Sequence, residues 1–187
     1  MGAMPEEARY APDLLRWIEA FPREMEVVRE AILDKHPPPA AKRLMVGVLA
    51  YRVRTMDLIP DYMNPVGLVD DCVILRIAAE LFLKYNVDGL PTSTLQKVAR
   101  LANDSEIVKQ YMGDALFEAL ERYVAALPDQ PFRDLTPEQI LSDERVRGRL
   151  FIEVTDSLKT WKTPEVTDPA RMERDVVNYL RDKLGVR

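Results

Sequence analysis

Four aspartates, Asp57, Asp61, Asp70 and Asp71, crowd the stretch YRVRTMDLIPDYMNPVGLVDD at residues 51–71, set among leucine, isoleucine, methionine and valine with Pro60, Pro65 and Gly67 between them. Burying an ionised carboxylate without partners costs several kcal/mol, so acids in such company need donors, a cation or a route to water. Two arrangements satisfy them. In the first, Asp57 caps a short helical turn through Asp61, Pro60 stiffens it, and Asp70 or Asp71 caps the next helix, where negative charge meets the positive end of the helix dipole. Arg52, Arg54 and Arg76 are near enough in sequence to pair with the remaining carboxylates and lock one loop conformation. In the second, Asp57, Asp61, Asp70 and Asp71 converge on a hard cation, Mg²⁺ or Ca²⁺, that could activate water beside a phosphate. The spacing is not that of an EF-hand loop, and no glycine-rich cradle for a phosphoryl group accompanies it.

The rest of the chain offers little further chemistry. His36 is the only histidine, which excludes any mechanism built on a histidine pair. Ser93, Ser105, Ser142 and Ser157 have no other histidine to serve as a base, and no G-x-S-x-G, CxxC, HExxH, P-loop or dinucleotide fingerprint occurs. The single cysteine, Cys72, follows Asp71 in an apolar run and reads as an inert core thiol in a reducing, cytoplasmic setting. No cofactor is expected beyond the Mg²⁺ or Ca²⁺ of the second arrangement.

Composition bounds the partners. A net charge of −5, from 31 acids against 26 bases, argues against nucleic acid, which demands a concentrated basic surface. The start lacks a basic stretch followed by an apolar one, so no signal peptide is expected. The longest apolar run, Val66 to Leu83, is interrupted by Asp70, Asp71, Arg76 and Glu80, so no transmembrane segment is expected either. ArgValArgGlyArg at 145–149 is a small basic cluster that could touch an anionic lipid or pair with Asp143, Glu144 and Glu153 on a solvated helix face.

Helical periodicity dominates the elements around the acidic stretch, and seven glycines in 187 residues fit helices better than hairpins. The pattern predicts an all-α protein of about eight helices, one domain over 1–187, with a core at about 40–86 and a C-terminal helical extension at about 132–187. Pro22 should break or kink the first helical segment, with a second helix resuming to Asp34. Residues 40–53 and 68–85 are apolar on most sides and should form the central helix, acidic turn and helix. Further helices are expected at 92–101, capped by Thr92 or Ser93, and at 103–127, capped by Asp104 or Ser105 and weakened at Gly113. Others start at Thr136-Pro137, run over 143–161 and span 168–184. Trp17 and Trp161 read as helix-packing residues.

The segment AYRVRTMDLIPDYMNPVGLVDDCVIL resembles the signature of the YkvA-like family, known as domain of unknown function 1232. Asp57, Leu58, Ile59, Pro60, Asp61, Gly67, Asp70 and Asp71 stand at that family's spacing. The chain departs at Thr55, where the family usually has proline, and at Pro65, one position later than usual. The resemblance covers about 44–83 and implies a helical hairpin-like core with an ordered acidic connection. It carries no established activity, and some relatives are membrane-associated. The expectation is a non-enzymatic scaffold whose outer helices present a protein-binding or homo-oligomer surface. A divalent-metal-dependent enzyme acting on a phosphate substrate, or a peripheral membrane adaptor, is the alternative.

Overall fold

The computed structural model describes residues 8–54 and 58–187. Thr55, Met56 and Asp57 lie outside the described residues, so the expected role of Asp57 has no structural counterpart here. Among the described residues there are nine α-helices and no strand. They are α1 (Ala11–Leu33), α2 (Pro39–Arg52), α3 (Val69–Leu83), α4 (Thr92–Asn103), α5 (Ser105–Met112), α6 (Asp114–Ala125), α7 (Pro137–Ser142), α8 (Glu144–Lys159) and α9 (Pro169–Leu184). None is long and apolar enough to cross a membrane.

The sequence explains the centre. On α3, Val69 through Ala79 and Phe82 are all buried, so an element apolar on every side sits inside a ring formed by α1, α2, α4, α5 and α6. On α2, every residue from Leu44 to Arg52 is buried, with α1, α3, α7 and α8 against it. On α1, Leu14, Trp17, Ile18, Phe21, Met25, Val28 and Ile32 recur every three or four residues and face this core.

The expected break at Pro22 does not occur, and α1 runs through it as one helix. Proline removes the N–H that would bond the Ile18 carbonyl. That carbonyl instead accepts the indole N–H of Trp161 at 2.7 Å. Trp161 also stacks on Phe21, with ring centroids 4.5 Å apart. The donor that proline lacks is thus supplied from the segment after α8.

Other boundaries differ for local reasons. The expected helix over 103–127 divides at Gly113, whose φ of +75° suits glycine and ends α5. Asp104 stands at the N-cap of α5 without capping it, since its carboxylate faces Arg16 at 3.3 Å and Arg76 at 3.5 Å. Neither Thr92 nor Ser93 caps α4; the N-cap is Pro91, and Thr94 donates to Glu30 at 3.1 Å. At α7 the capping box forms as expected, Thr136 accepting from the Gln139 N–H while the Gln139 side chain accepts from Thr136 N–H. Asp143 and Asp168 cap α8 and α9.

Candidate functional site

The acidic stretch is the connection between α2 and α3, and two consecutive residues on each side define it. Tyr51 and Arg52 are the last residues of α2, and Asp70 and Asp71 lie in the first turn of α3. All four are buried. The charges suit their positions, since acids favour the positive end of α3 and a cation favours the negative end of α2. The sequence leads one to expect Asp70 or Asp71 to cap α3, but neither does: the N-cap is Leu68, no side chain caps it, and the two acids are the second and third residues of the helix, turned towards Tyr51 and Arg52.

Tyr51 joins three parts of the turn. Its hydroxyl accepts the Leu58 N–H at 2.9 Å and donates to Asp70 Oδ2. The same carboxylate oxygen accepts the Ile59 N–H at 3.2 Å. Burial, followed by the charges of Asp70 and Asp71, pushes the Tyr51 phenol well above its ordinary ionisation range. It therefore stays protonated and keeps its donor.

Arg52 makes the parallel link. Its Nη1 donates to Asp61 Oδ2 at 2.8 Å and to Asp71 Oδ2 at 3.2 Å. The Asp71 side chain is 2 % exposed and that of Asp61 46 %, so one guanidinium ties a buried acid to one at the surface. Its carbon also lies 5.0 Å from the ring centroid of Trp161, the residue that satisfies Ile18.

The backbone between these anchors is tightly folded. The Pro60 carbonyl accepts the Met63 N–H at 2.9 Å, and Met63 O accepts the Gly67 N–H at 3.1 Å. A Cβ on Gly67 would fall 2.2 Å from the Pro60 oxygen, closer than any real Cβ contact, so glycine is required where the turn crosses itself.

The other two arginines face elsewhere. Arg54 donates to the side chain of Gln130 and approaches its carbonyl at 3.5 Å, tying the end of α2 to the segment before α7. Arg76 is fully buried one turn further along α3. Its Nη2 meets both oxygens of Glu24 at 3.0 and 3.1 Å, its Nη1 bonds Cys72 O at 3.0 Å, and its carbon lies 4.4 Å from the Trp17 ring centroid. The physical reason is direction. Arg76 lies beyond the first turn of α3, among α1 and α5 residues, whereas Asp70 and Asp71 face the end of α2. Burial raises the Glu24 carboxyl despite the opposing pull of Arg76.

Tyr51 and Glu24 are not apparent from the sequence because each is an ordinary buried position of its own helix, and Asp104 and Trp161, which lie between helices, because their partners Arg76 and Ile18 are distant in sequence. One signal was present: Tyr51 to Asp70 and Arg52 to Asp71 have the same separation of 19 residues, a pair facing a pair. Cys72 is buried and free, and burial raises its thiol well above the usual range, as befits an inert sulfur. His36 contacts Asp34, with Nδ1 2.8 Å from Oδ1, and joins none of this network. Among the described residues no group of three or more His, Cys, Asp or Glu side chains is placed to hold a metal ion.

Residues 41–76 match the family model described as Protein of unknown function (DUF1232). Over this segment the chain is similar to the DUF1232 family. No curated protein and no solved structure matches the chain. The DUF1232 segment spans most of α2, the turn and the first half of α3, and so contains Tyr51, Arg52, Asp61, Gly67, Asp70, Asp71 and Arg76. Its partners Glu24, Asp104, Gln130 and Trp161 come from outside it.

Proposed function

We propose that the DUF1232 segment is a non-enzymatic clasp that holds α2 and α3 in one relative pose, and that the surrounding helices use this rigid core to present a protein-binding or self-association surface. One observation carries the proposal: Asp61, Asp70 and Asp71 meet donors from Tyr51, Arg52 and the turn's own backbone. Carboxylates engaged in this way orient helices; they have little reason to release those donors for a substrate. The surface that would meet a partner includes Tyr62, at the tip of the turn and 86 % exposed, and Ile152 on α8.

Melting the protein with and without saturating Mg²⁺ or Ca²⁺ tests the proposal. The melting temperature should be nearly unchanged by either ion, while Asp71→Ala should lower it in all conditions. A rise of many degrees with the cation, abolished by Asp71→Ala, would favour a metal-dependent activity instead.

A further inference from the structure

A cavity of about 440 Å³ lies at the opposite end of α2 from the clasp, between the end of α1, the prolines before α2, and the α7–α8 corner. Its lining includes four cations, Lys35, Lys42, Arg43 and Arg147, and one carboxylate, Glu138. Four positive charges less one negative leave +3 around one opening, in a chain whose acids outnumber its bases by 31 to 26. Such a concentration against the overall sign of the molecule is a focused field rather than average surface.

The cations are only partly committed. Arg147 caps the end of α7 by donating to Leu141 O at 2.5 Å. Arg43 pairs with Glu138 at 3.3 Å, but the Glu138 side chain is 75 % exposed, so an anion can compete for the guanidinium. Lys35 and Lys42 form no ion pair among the described residues. Asp34, which feels the charge of Lys42, already accepts from the His36 N–H and lies against its ring nitrogen. The first turn of α2, which carries Lys42, contains no acid to answer its positive end. Ile32, Leu33 and Leu141 add an apolar wall, with Leu33 54 % exposed at the rim.

We infer that this cavity binds a phosphate-bearing anion. A single carboxylate would leave most of the positive charge unbalanced. A phosphate group carries up to two charges and several acceptor oxygens, which suit two ammonium groups and a fork-shaped guanidinium. Its volume falls in the range of small-ligand sites. A soluble phosphate ester and a phospholipid headgroup share this chemistry, and the exposed Leu33 is compatible with either. The inference is independent of the clasp, which uses only the far end of α2.

Titration of the full chain with pyrophosphate at physiological salt, followed by calorimetry, covers the soluble source. Co-sedimentation with phosphatidylglycerol vesicles covers the headgroup. Saturable binding in either arm is expected, weakened at least about tenfold by Lys35→Ala/Lys42→Ala, restored by Lys35→Arg/Lys42→Arg, and unchanged by Arg145→Ala on the exposed face of α8. Pyrophosphate binding assigns a soluble ligand, and vesicle binding alone assigns a membrane one. No binding in either arm, or binding that survives loss of both lysines, overturns the inference. Neither lysine forms an ion pair among the described residues, so the variants should melt like the parent, and a melt confirms that each is folded.

Discussion

Because the Tyr51 hydroxyl accepts from Leu58 and donates to Asp70, removing one oxygen atom opens both ends of the turn at once. Tyr51→Phe leaves a buried N–H and a buried carboxylate each short of a partner. Urea denaturation should show a loss of about 1–3 kcal/mol. The alkaline branch provides a second check. The folded state holds this phenol's ionisation above the ordinary value, while the unfolded chain releases the proton near pH 10. Its stabilising contribution is therefore complete below about pH 10 and is lost as pH rises towards the folded value. The melting temperature should fall above pH 10 in the parent and fall less steeply in Tyr51→Phe. An identical slope in the two would show that Tyr51 is not held as described. Glu24 has the same sign in the acid range: burial raises its carboxyl, so its contribution is present below the unfolded value and lost as pH rises through the folded one.

Helix α1 shows how a local rule can be overruled from a distance. Pro22 forfeits a hydrogen bond wherever it lies in a helix, yet the Ile18 carbonyl is satisfied by Trp161, 143 residues away in sequence. Trp161→Phe should cost about 1–2 kcal/mol, since the ring is kept and the donor lost. Pro22→Ala supplies the missing N–H, so the same tryptophan substitution made in that background should cost less, by about 1 kcal/mol, in a double-mutant cycle followed by denaturation. Equal costs in the two backgrounds would mean that Trp161 does not replace the proline's donor. The helices α2 and α3 are legible in the sequence because they are apolar all round, a pattern that only burial explains. The ends of α7, α8 and α9 are legible because Thr136, Asp143 and Asp168 are strong N-caps. The unbroken α1 is not legible, because nothing near Pro22 announces Trp161. The same limit applies to Arg76, whose partners Glu24 and Asp104 are distant in sequence and which, at about 100° per residue, lies on another side of α3 from Asp70 and Asp71.

Across the molecule, the C-terminal segment is bound into the same structure as the clasp. Trp161 touches Ile18, Phe21 and Arg52, while Glu173 on α9 accepts the backbone N–H groups of Tyr10 and Ala11 at 2.6 and 2.5 Å. Met172, Val176 and Leu180 of α9 are buried. A chain ending at Lys159 loses all of these contacts. It should melt lower and bind a hydrophobic dye such as ANS at temperatures where the full chain does not; an unchanged melt would make the extension an independent appendage. The all-α architecture and the place of the acidic turn were thus readable from periodicity and spacing, whereas the ties between outer helices and clasp depend on three-dimensional neighbours that periodicity does not encode. The central claim is that Arg52 and Asp71 hold each other, and through that pair α2 holds α3. A double-mutant cycle on Arg52→Ala and Asp71→Ala, followed by urea denaturation, measures it directly. Each single change should cost about 3 kcal/mol, because each takes a partner from a buried charge, and the double should cost far less than their sum, with a coupling of about 2 kcal/mol or more. Independent losses that simply add, with coupling below about 0.5 kcal/mol, would contradict the clasp.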